Sequence, residues 1–325
     1  MEQRPFVSIL IPCCNVEKFI QQCLLSVINQ TLKNIEIICI NDGSTDGSQQ
    51  ILEKIAKQDS RIRIINKQNT GYGDSMNRGL DAALSEYIGI VEGDDFVTPE
   101  MFEMLYQQAK KKDLEICRGA HFNLYGDQAY PEVPSFLPSK RVIDSCQFEK
   151  MLKLRPAIWT SIYKKDFLRK NGIRFLGTPG ASYQDTSFAI KCWLTAQRVA
   201  LLPLPLIYYR CDNAASSVKQ KDKVYFICEE WREIYTFLFK QKLSSPARLK
   251  ILFEVQFNNY LWNLKRVAWK YKAQFLIRWF CEAWKFLLKF NISFSQLPTK
   301  LRIKILLLLF FPVFYLFLSL FDNDK

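Results

Sequence analysis

Hydrophobic and polar positions along the first part of the chain fall into short apolar runs that alternate with amphipathic stretches. The runs at Val7–Pro12 and Ile35–Ile40 have the length and the β-branched content of buried strands. Apolar residues at helical spacing follow each run, at about Val16–Gln30 and Asp46–Gln58, and Asn15 can cap the first of these helices. This alternation predicts right-handed crossovers and a mostly parallel, doubly wound α/β sheet.

The alternation continues for two more units and then weakens. A short strand at Arg61–Asn66, a helix through Met76–Leu84 and a strand at Tyr87–Val91 complete the regular part. The region from residue 112 to residue 209 is interpreted as antiparallel additions to the same sheet. The elements predicted there are a strand at Leu114–Cys117, a helix near Gln147–Leu154, an apolar segment at Ala157–Tyr163, a helix at about Thr186–Ala196 and strands at Val199–Leu202 and Ile207–Arg210.

The last third of the chain has the pattern of long helices rich in aromatic and basic residues. Helices are predicted at about Lys223–Lys240, Ala247–Tyr271 and Phe275–Phe290, followed by Ile305–Phe321, a run of 17 residues without a charge. At about 1.5 Å per residue this run would cover ~26 Å, just short of a hydrocarbon core of ~30 Å. The predicted regions are a first domain at 1–220, a basic aromatic helical region at 221–299 and an apolar, membrane-associating segment at 300–325.

The composition adds an asymmetry of charge to this picture. The whole chain has a formal net charge of +13, and residues 221–325 contain 18 Lys and Arg against 8 Asp and Glu, whereas residues 1–220 contain 27 against 24. A basic region can indicate nucleic-acid binding, but Phe, Leu and Trp are too dense here for a solvated basic face. A soluble helical bundle is the alternative for residues 223–290.

A contact with the membrane fits the end of the chain best. Lys300, Arg302 and Lys304 would face anionic lipid at the cytoplasmic surface while Ile305–Phe321 inserts. The length of the segment and Pro312 leave open whether it spans the bilayer or lies in one leaflet. The expected partner is therefore the cytoplasmic face of the inner membrane, and nucleic acid is not expected as a partner.

The hydropathy and the cysteine content of the chain narrow the class of protein. Apolar residues make up 49% of the chain and the mean hydropathy is −0.09, which is typical neither of a disordered chain nor of a polytopic membrane protein. The ten cysteines form no C-x-x-C pair, and the one histidine, His121, cannot complete a Cys₂His₂ zinc site. Cys13, Cys39 and Cys192 lie in apolar runs, as reduced core thiols do. No signal-peptide pattern precedes the first strand, so a reducing cytoplasm is expected.

Candidate chemistry begins where the fourth predicted strand ends in two adjacent carboxylates, Asp94 and Asp95. Two such charges at the end of an apolar strand repel each other and are costly to bury unless a cation or a donor-rich ligand meets them. The alternative is a plain turn, since Pro99 can open the next helix. The loops Asp42–Gly47 and Asn69–Asp74 also lie at or near strand ends, so that three loops can converge on one crevice, as in nucleotide-binding sheets.

The loop after the second strand has the spacing of an EF-hand calcium loop, from Asp42 to Glu53. An EF-hand loop follows a helix, however, and this loop follows a strand. Asp42 is therefore predicted to accept hydrogen bonds from a base or a ribose, as acids at doubly wound sheet edges do. The chain has neither a P-loop sequence nor a G-x-G-x-x-G sequence after a strand.

A series of short motifs runs through the chain: Pro12 with Asn15, Asn41–Ser48, Asn69 with Gly71, Asn77 with Gly79, Glu92–Asp95, Trp159 near Tyr163, Gln184-Asp185 before a helix, and Tyr209-Arg210 followed by Ser216-Ser217. In this order the motifs resemble those of the family 2 glycosyltransferases of the GT-A fold, over roughly residues 5–220. The resemblance implies an inverting, metal-dependent enzyme that moves a sugar from a nucleotide diphosphate, with UDP expected, to a hydroxyl of a surface-glycan or lipid-linked acceptor. Polysaccharide biosynthesis of the lipopolysaccharide or capsule type is the implied setting.

The resemblance also implies roles for individual residues. Asp95 would ligate Mg²⁺ or Mn²⁺ on the nucleotide diphosphate, and Asp185 would be the general base that takes the proton of the acceptor hydroxyl. The residues that would bind the nucleotide sugar are Pro12, Asn15, Asp42, Asn69, Gly71 and Asp94. The residues that would contact the acceptor are Trp159, Gln184 and Arg210.

Several of these residues have structural alternatives. Asp185 can be an ordinary acid at a helix start, and Trp159 can be a core residue instead of a platform for a sugar ring. Arg210 can meet a phosphate or simply pair with an acid. His121 is interpreted as structural, with a position near the metal as the alternative.

The sequence departs from the family pattern at two positions. Glu92 stands where the family commonly has Asp, which keeps a charge on a longer arm, and Gln184 stands where it commonly has Glu, which affects the acceptor contacts more than catalysis. The alternative function is a non-catalytic, membrane-bound glycan-binding or scaffold protein on the same fold. The presence of all four site aspartates argues against it, because a dead copy has no chemical reason to keep them.

Overall fold

The computed structural model of the protein describes residues 4–134, 142–143, 151–152, 154–213, 221–290 and 297–310. The chain forms two compact units, Met1–Ala214 and Ala215–Lys325. The predicted division into three regions, with boundaries at residues 220 and 299, stays a prediction. Of the other predicted features, most of the helix near Gln147–Leu154 and the pair Ser216-Ser217 lie outside the described residues.

The first unit is built around one sheet with helices between its strands. Its strands are β1 (Val7–Cys13), β2 (Ile35–Asp42), β3 (Ile62–Lys67), β4 (Tyr87–Ile90), β5 (Phe96–Val97), β6 (Ile116–Tyr125), β7 (Gln128–Glu132), β8 (Val142–Ile143), β9 (Ser161–Lys164) and β10 (Val199–Arg210). Its helices are α1 (Ile20–Ile28), α2 (Ser48–Ala56), α3 (Tyr72–Ala82), α4 (Met101–Lys111), α5 (Lys165–Lys170) and α6 (Gln184–Thr195), with a 3₁₀ turn at Ile158–Thr160.

The strands are arranged in the order β3-β2-β1-β4-β9-β6-β10-β5, with β7 on β6 and β8 on β10. β1 pairs parallel with β2 and β4, and β2 pairs parallel with β3. β9 enters antiparallel between β4 and β6, while β6 and β10 are parallel to each other. The prediction of a mostly parallel sheet is therefore correct for β1 to β4 and wrong for the whole sheet, which is mixed because the buried β9 occupies a central position.

The central strands are buried on both faces, which explains their continuous apolar runs. All seven residues of β1 are buried, and in β2 only Glu36 is not fully buried. The register of the two parallel strands pairs Pro12 with Ile40 and Cys13 with Asn41. The loops that follow β1, β2 and β4 therefore leave the sheet side by side, at an edge that we call the carboxyl edge.

Two elements, a helix and a strand, differ from their predicted bounds. α1 begins at Ile20, four residues later than predicted, because the residues before it form a turn. Asn15 does not cap this helix, since its backbone has a φ of +54° and its side chain is bonded to the loop after β2. The strands predicted at Val199–Leu202 and Ile207–Arg210 are one strand, β10, whose pairing with β6 is irregular between them.

The second unit consists of four described helices, α7 (Phe226–Lys240), α8 (Pro246–Arg266), α9 (Trp269–Lys289) and α10 (Thr299–Phe310). α8 begins where the Ser245 hydroxyl accepts a hydrogen bond from the backbone N–H of Arg248 and Pro246 takes the first helical position. The helix predicted over Ala247–Tyr271 is broken, because Val267 and Ala268 have extended backbone conformations.

Aromatic side chains fill the interior of the second unit. Trp231, Tyr260 and Phe275 are buried, and the Tyr260 hydroxyl donates a 2.6 Å hydrogen bond to Glu282 Oε2. Across the described ranges, none of the helices combines the length and the apolar character needed to cross a membrane. The predicted segment Ile305–Phe321 is described only as far as Phe310.

Candidate functional site

The acid turn, Glu92–Asp95, follows β4 at the carboxyl edge. The backbone N–H of Asp95 donates to the carbonyl of Glu92 at 3.0 Å and closes the turn. A Cβ atom on Gly93 would come within 2.9 Å of the carbonyl oxygen of Pro12. Glycine at this position therefore lets the acid turn pack directly against the end of β1, which places Pro12 beside the two aspartates.

Asp95 is the most enclosed acid of the turn, with 2% of the residue exposed. Its Oδ1 accepts a hydrogen bond from the backbone N–H of Arg210 at 2.8 Å. Its Oδ2 is buried and has no hydrogen-bond partner among the described residues. Burial, followed by the charge of Asp94, raises the pKa of the Asp95 carboxyl well above its usual range. The turn thus holds a carboxylate oxygen that only a cation or a donor can satisfy when it is charged.

Arg210 holds the acid turn in place. Its Nε donates to the carbonyl of Asp94 at 2.7 Å, and its Nη2 donates to Gln22 Oε1. The guanidinium also lies 5.0 Å from the ring centre of Phe19 and 5.2 Å from that of Phe96. The guanidinium is therefore committed to the turn, and the predicted contact of Arg210 with an acceptor stays a prediction.

The other two acids of the turn have defined partners. Asp94 Oδ2 accepts a 2.8 Å hydrogen bond from the side-chain amide of Asn213. Glu92 Oε1 accepts a 2.7 Å hydrogen bond from the hydroxyl of Tyr72. Burial is the largest cause that raises the pKa of Glu92 to about 8, and the charges of Asp94 and Asp185 add to it. Glu92 is thus largely protonated at neutral pH as long as no cation is bound nearby.

Asp42 ends β2 and organises the loop that precedes α3. Its Oδ1 pairs with the ammonium group of Lys67 and accepts the backbone N–H of Thr70 at 2.9 Å. Its Oδ2 accepts the backbone N–H of Gly71 at 3.0 Å. The predicted contact of Asp42 with a base or a ribose stays a prediction, and the structure adds that its carboxylate fixes the residues at 70 and 71.

The loop around Gly71 is crossed closely by the segment Leu176–Gly180. Gly71 has a φ of +104°, and a Cβ atom there would lie 2.7 Å from Thr178 O and from Gly180 N. A Cβ atom on Gly73 would overlap the carbonyl of Leu176. The two glycines therefore bring the segment that leads to α6 onto the loop after β3.

The side chain of Gln184 faces this segment and is buried. Its Oε1 accepts the backbone N–H of Ser182 at 2.6 Å, and its Nε2 donates to Thr178 Oγ1 at 2.9 Å and to Gly180 O at 3.3 Å. Gln184 thus holds the start of α6. Its predicted contact with an acceptor stays a prediction.

Asp185 lies in the first turn of α6 and is half-buried. Burial raises the pKa of its carboxyl to about 6, against the hydrogen bond from the Thr186 backbone and the charge of Arg155, which both lower it. The charge of Asp185 also raises the pKa of Glu92, as expected for an acid at the start of α6 that lies near the acid turn. A carboxylate with a pKa near 6 is suited to accept a proton at neutral pH.

Trp159 belongs to an aromatic cluster beside these acids. It is 5% exposed, stacks on Tyr209 with ring centres 5.0 Å apart and meets His121 edge-on at 4.9 Å. Burial lowers the pKa of His121 to about 4, so that its 3.4 Å approach to Glu132 Oε2 is not an ion pair at neutral pH. These contacts favour the core interpretation of Trp159 and the structural interpretation of His121.

Asn15 and Asn69 lie at the exposed end of the same edge. Asn15 Oδ1 accepts the backbone N–H of Thr45 at 2.8 Å and so ties the loop after β1 to the loop after β2. The side-chain amide of Asn69 lies 3.4 Å from the sulfur of Cys14. The residues predicted to bind the nucleotide thus lie along one edge of the sheet. Asp185 is related to them through its electrostatic effect on Glu92 in the acid turn.

Among the described residues, no group of three or more His, Cys, Asp or Glu side chains is arranged to hold a metal ion by itself. Mg²⁺ commonly takes one or two carboxylates and completes its shell with phosphate oxygens and water. Asp94 and Asp95 supply two adjacent carboxylates, and the unpartnered Asp95 Oδ2 is a free ligand atom. The residues present therefore fit a divalent cation that shares its coordination with a diphosphate.

Two residues of the site escaped sequence reasoning. Tyr72 lies between two glycines and has no motif of its own, yet its hydroxyl joins α3 to the acid turn. Arg155 precedes the Trp159 motif by four residues, and nothing in its local pattern indicates the ring of Tyr209 below its guanidinium. Only the packing of segments that are distant in sequence reveals both contacts.

Sequence comparison places the first unit among known proteins. Residues 8–164 match the family model for Glycosyl transferase family 2. The glycosyltransferase EpsJ of Bacillus subtilis, described as uncharacterized, is 35% identical over 212 residues, which cover 63% of this chain and 61% of that protein. The putative glycosyltransferase EpsH of the same bacterium is 32% identical over 234 residues, which cover 69% of this chain and 66% of that protein. The chain thus spans less than two thirds of the length of either relative.

Structural comparison agrees with this placement. The crystal structure of S. aureus TarS 1-349 in complex with UDP-GlcNAc is similar to this chain with a TM-score of 0.67 and 21% sequence identity, covering 83% of this chain and 78% of that one. At this level of identity the similarity shows the fold alone. The mixed α/β sheet is of the GT-A type, as the order of the motifs implied.

Proposed function

We propose that the chain, whose residues 8–164 match the family model for Glycosyl transferase family 2, transfers a sugar from a nucleotide diphosphate to an acceptor hydroxyl with inversion at the anomeric carbon. The observation that carries the proposal is the meeting of two kinds of acid at the carboxyl edge. Asp94 and Asp95 are adjacent, Asp95 Oδ2 is buried without a partner among the described residues, and the charge of Asp185, whose pKa is about 6, acts on Glu92 of the same turn.

Asp185 is the proposed general base. Its carboxylate accepts the proton of the acceptor hydroxyl while that oxygen forms the new bond to the anomeric carbon and the bond from this carbon to the diphosphate breaks. One displacement from the face opposite to the leaving group inverts the configuration. The half-buried position of Asp185 raises the pKa of its carboxyl to about 6. The carboxyl is therefore largely ionised at pH 7.

Asp94 and Asp95 are the proposed ligands of Mg²⁺ or Mn²⁺. When bound, such a cation supplies positive charge against the departing nucleotide diphosphate. The backbone N–H of Arg210 fixes Asp95 Oδ1, which leaves Oδ2 for a ligand. Asn213 orients Asp94 in the same way through its hydrogen bond to Oδ2.

The proposed donor is a UDP-sugar, bound along the loops that follow β1, β2 and β3. A complex of S. aureus TarS with UDP-GlcNAc supports this choice of nucleotide through the shared fold. Pro12, Asn15 and Asp42 lie at this part of the edge, together with the loop Asn69–Gly71 that Asp42 holds. The donor would lie with its diphosphate towards Asp94 and Asp95.

The measurement that tests the transferase proposal is nucleotide release from a panel of nucleotide sugars, in Mn²⁺ and in chelator. Slow hydrolysis of the donor is sufficient, so the acceptor need not be known. Metal-dependent release from one donor is expected for the native chain, with loss in Asp95→Ala and Asp185→Asn. Asp166→Asn, at an exposed acid of α5, is the matched control. No turnover and no metal-dependent nucleotide binding would instead support the scaffold alternative.

We also propose that the enzyme works at the cytoplasmic face of the inner membrane, on a surface-glycan or lipid-linked acceptor. The outward face of α9 supports this proposal. Ile277, Phe280, Trp284 and Leu288 are exposed at helical spacing, 66% and 74% for Ile277 and Leu288. Lys285 is exposed beside them. An apolar stripe with a cation beside it fits the headgroup region of an anionic bilayer.

The membrane proposal is tested by flotation of the full chain with vesicles of phosphatidylglycerol or of phosphatidylcholine. Binding to the anionic vesicles is expected to fall several-fold in Ile277→Ser and in Trp284→Ser. Leu84→Ser is the matched control, because Leu84 is 60% exposed in the first unit. Equal recovery of all variants with the vesicles would contradict a membrane role for α9.

A further inference from the structure

Arg155 lies on the aromatic cluster beside Asp185. Its guanidinium is 4.5 Å from the ring centre of Tyr209 and 5.9 Å from that of Trp159. Its side chain is exposed. Within the described ranges, Arg155 forms no salt bridge, although its charge contributes to lowering the pKa of Glu132. A guanidinium stacked on a ring by its face keeps its N–H edges available for a planar anion.

The platform below Arg155 is fixed on several sides. Tyr209 and Trp159 stack with an interplanar angle of 2°, and His121 meets Trp159 at 89°. The backbone carbonyl of Arg155 accepts a 3.0 Å hydrogen bond from Nη2 of Arg118, which is itself buried. The position of the guanidinium is therefore set by the core and not by a flexible surface loop.

The other cations near the site are committed to protein groups. Lys67 pairs with Asp42, and Arg210 is bonded to the acid turn and to Gln22. Arg118 is buried and donates to the carbonyl of Arg155. Arg155 is thus the exposed cation that the described part of the site leaves for a ligand.

Arg155 is linked electrostatically to Asp185, the proposed base. Its charge lowers the pKa of Asp185, the proposed base, and that of Tyr209, whose phenol also experiences the charges of Asp95 and Asp94. The hydroxyl that attacks must lie beside Asp185. The diphosphate of the donor has its own charge partner, the cation proposed at Asp94 and Asp95.

We propose that Arg155 binds an anionic group of the acceptor, a phosphate or a carboxylate close to the attacking hydroxyl. This inference rests on the proposed transferase function, since it uses Asp185 as the marker of the acceptor side. The acceptor class is therefore a hydroxyl compound that carries an anion, such as a sugar phosphate, a polyol phosphate or a uronic acid. A neutral sugar would leave the guanidinium without a partner.

The experiment measures binding of small probes to the full chain loaded with Mg²⁺ and UDP, by calorimetry. The anionic probes are glycerol 1-phosphate and glucuronate, and the neutral probes are glycerol and glucose. Native protein is expected to bind at least one anionic probe about tenfold to 100-fold more tightly than its neutral counterpart. The preferred probe distinguishes a phosphate from a carboxylate.

Variants show whether Arg155 is the source of the preference. Arg155→Gln is expected to abolish it and Arg155→Lys to keep part of it, because lysine retains the charge without the planar fork. Arg169→Gln, at an exposed arginine of α5, is the matched control and should behave as native protein. Thermal unfolding of each variant identifies any loss that comes from misfolding.

Three results would overturn the inference. They are equal binding of anionic and neutral probes by native protein, absence of saturable binding of both anionic probes, and a preference that survives in Arg155→Gln. A loss of UDP affinity in Arg155→Gln, with probe preference unchanged, would assign the residue to the donor instead. Donor hydrolysis without an acceptor reports separately on the transferase proposal, so the two proposals fail independently.

Discussion

The ends of β2 and β4 lie at the same edge of the sheet and both carry a buried aspartate, but the two carboxylates have different surroundings. At the end of β2, both oxygens of Asp42 are engaged, one by Lys67 and the Thr70 N–H and the other by the Gly71 N–H. After β4, Asp95 has one oxygen bonded to the Arg210 N–H and the other without a partner among the described residues.

The difference separates an acid that is paired within the protein from an acid that keeps one oxygen available for the proposed cation. A charge that is fully paired inside the protein is part of the fold, because removing it leaves its partner unsatisfied. A buried oxygen that lacks a partner is unfavourable when charged, and its cost is removed only when a cation or donor arrives. The same residue type at two strand ends of one sheet edge therefore has two different surroundings, which the sequence alone does not distinguish.

The largest expected effect is the loss of activity in Asp95→Asn. Metal-dependent donor hydrolysis should fall about 1000-fold, because the variant removes a charged ligand of the proposed cation. The free energy of unfolding should fall by no more than about 1 kcal/mol, since a buried charge without a partner does not stabilise the fold and the asparagine Oδ1 can still accept the Arg210 N–H. Hydrolysis assays and denaturant unfolding measure the two quantities. Strong destabilisation by this change would remove the contrast with Asp42.

Asp42→Asn should differ from Asp95→Asn by a large loss of stability, about 3 kcal/mol. The buried ammonium group of Lys67 would lose its nearest carboxylate and keep only Asp74, at 3.3 Å. The double variant with Lys67→Met should recover part of this loss, because it removes both charges. Denaturant unfolding of the single and double variants measures the coupling. Additive effects in the double variant would contradict the pairing.

Gly71→Ala should destabilise the protein by about 2 kcal/mol and slow donor hydrolysis. The added Cβ would press on the backbone of Thr178 and Gly180 and displace the segment that leads to Asp185. Gly126→Ala is the matched control, because Gly126 also has a positive φ, +56°, but has nothing within 4 Å of the added atom. Equal effects of the two substitutions would show that backbone strain alone is responsible.

The smallest expected effect is a shift in the pH dependence of donor hydrolysis. Below about pH 6 the rate should fall about tenfold per pH unit, because Asp185, with a pKa of about 6, becomes protonated and cannot act as a base. Arg155→Gln removes a positive charge that lowers this pKa, so the fall should begin at a higher pH. A rate that is level from pH 5 to pH 8 in native protein would contradict the role of Asp185.

Local pattern in the sequence was sufficient to predict the central strands and the acids that follow them. β1 and β2 are continuous apolar runs because both faces of these strands are buried, and their bounds lie within two residues of the prediction. The acids at the ends of β2 and β4 were also visible, since a carboxylate directly after an apolar strand is typical of a ligand-binding sheet edge. The order of the motifs then indicated the family that residues 8–164 match.

Which residues meet was decided by tertiary contacts alone. The antiparallel entry of β9 between β4 and β6, the bond of Tyr72 to Glu92 and the stacking of Arg155 on Tyr209 join segments 20 to 80 positions apart in the chain. Periodicity reports the burial of a residue against its neighbours in sequence, and it carries no information on a partner that a crossover or a distant strand brings in. Such tertiary contacts decide whether an acid is paired within the protein, and so whether its carboxylate stabilises the fold or stays available for a ligand.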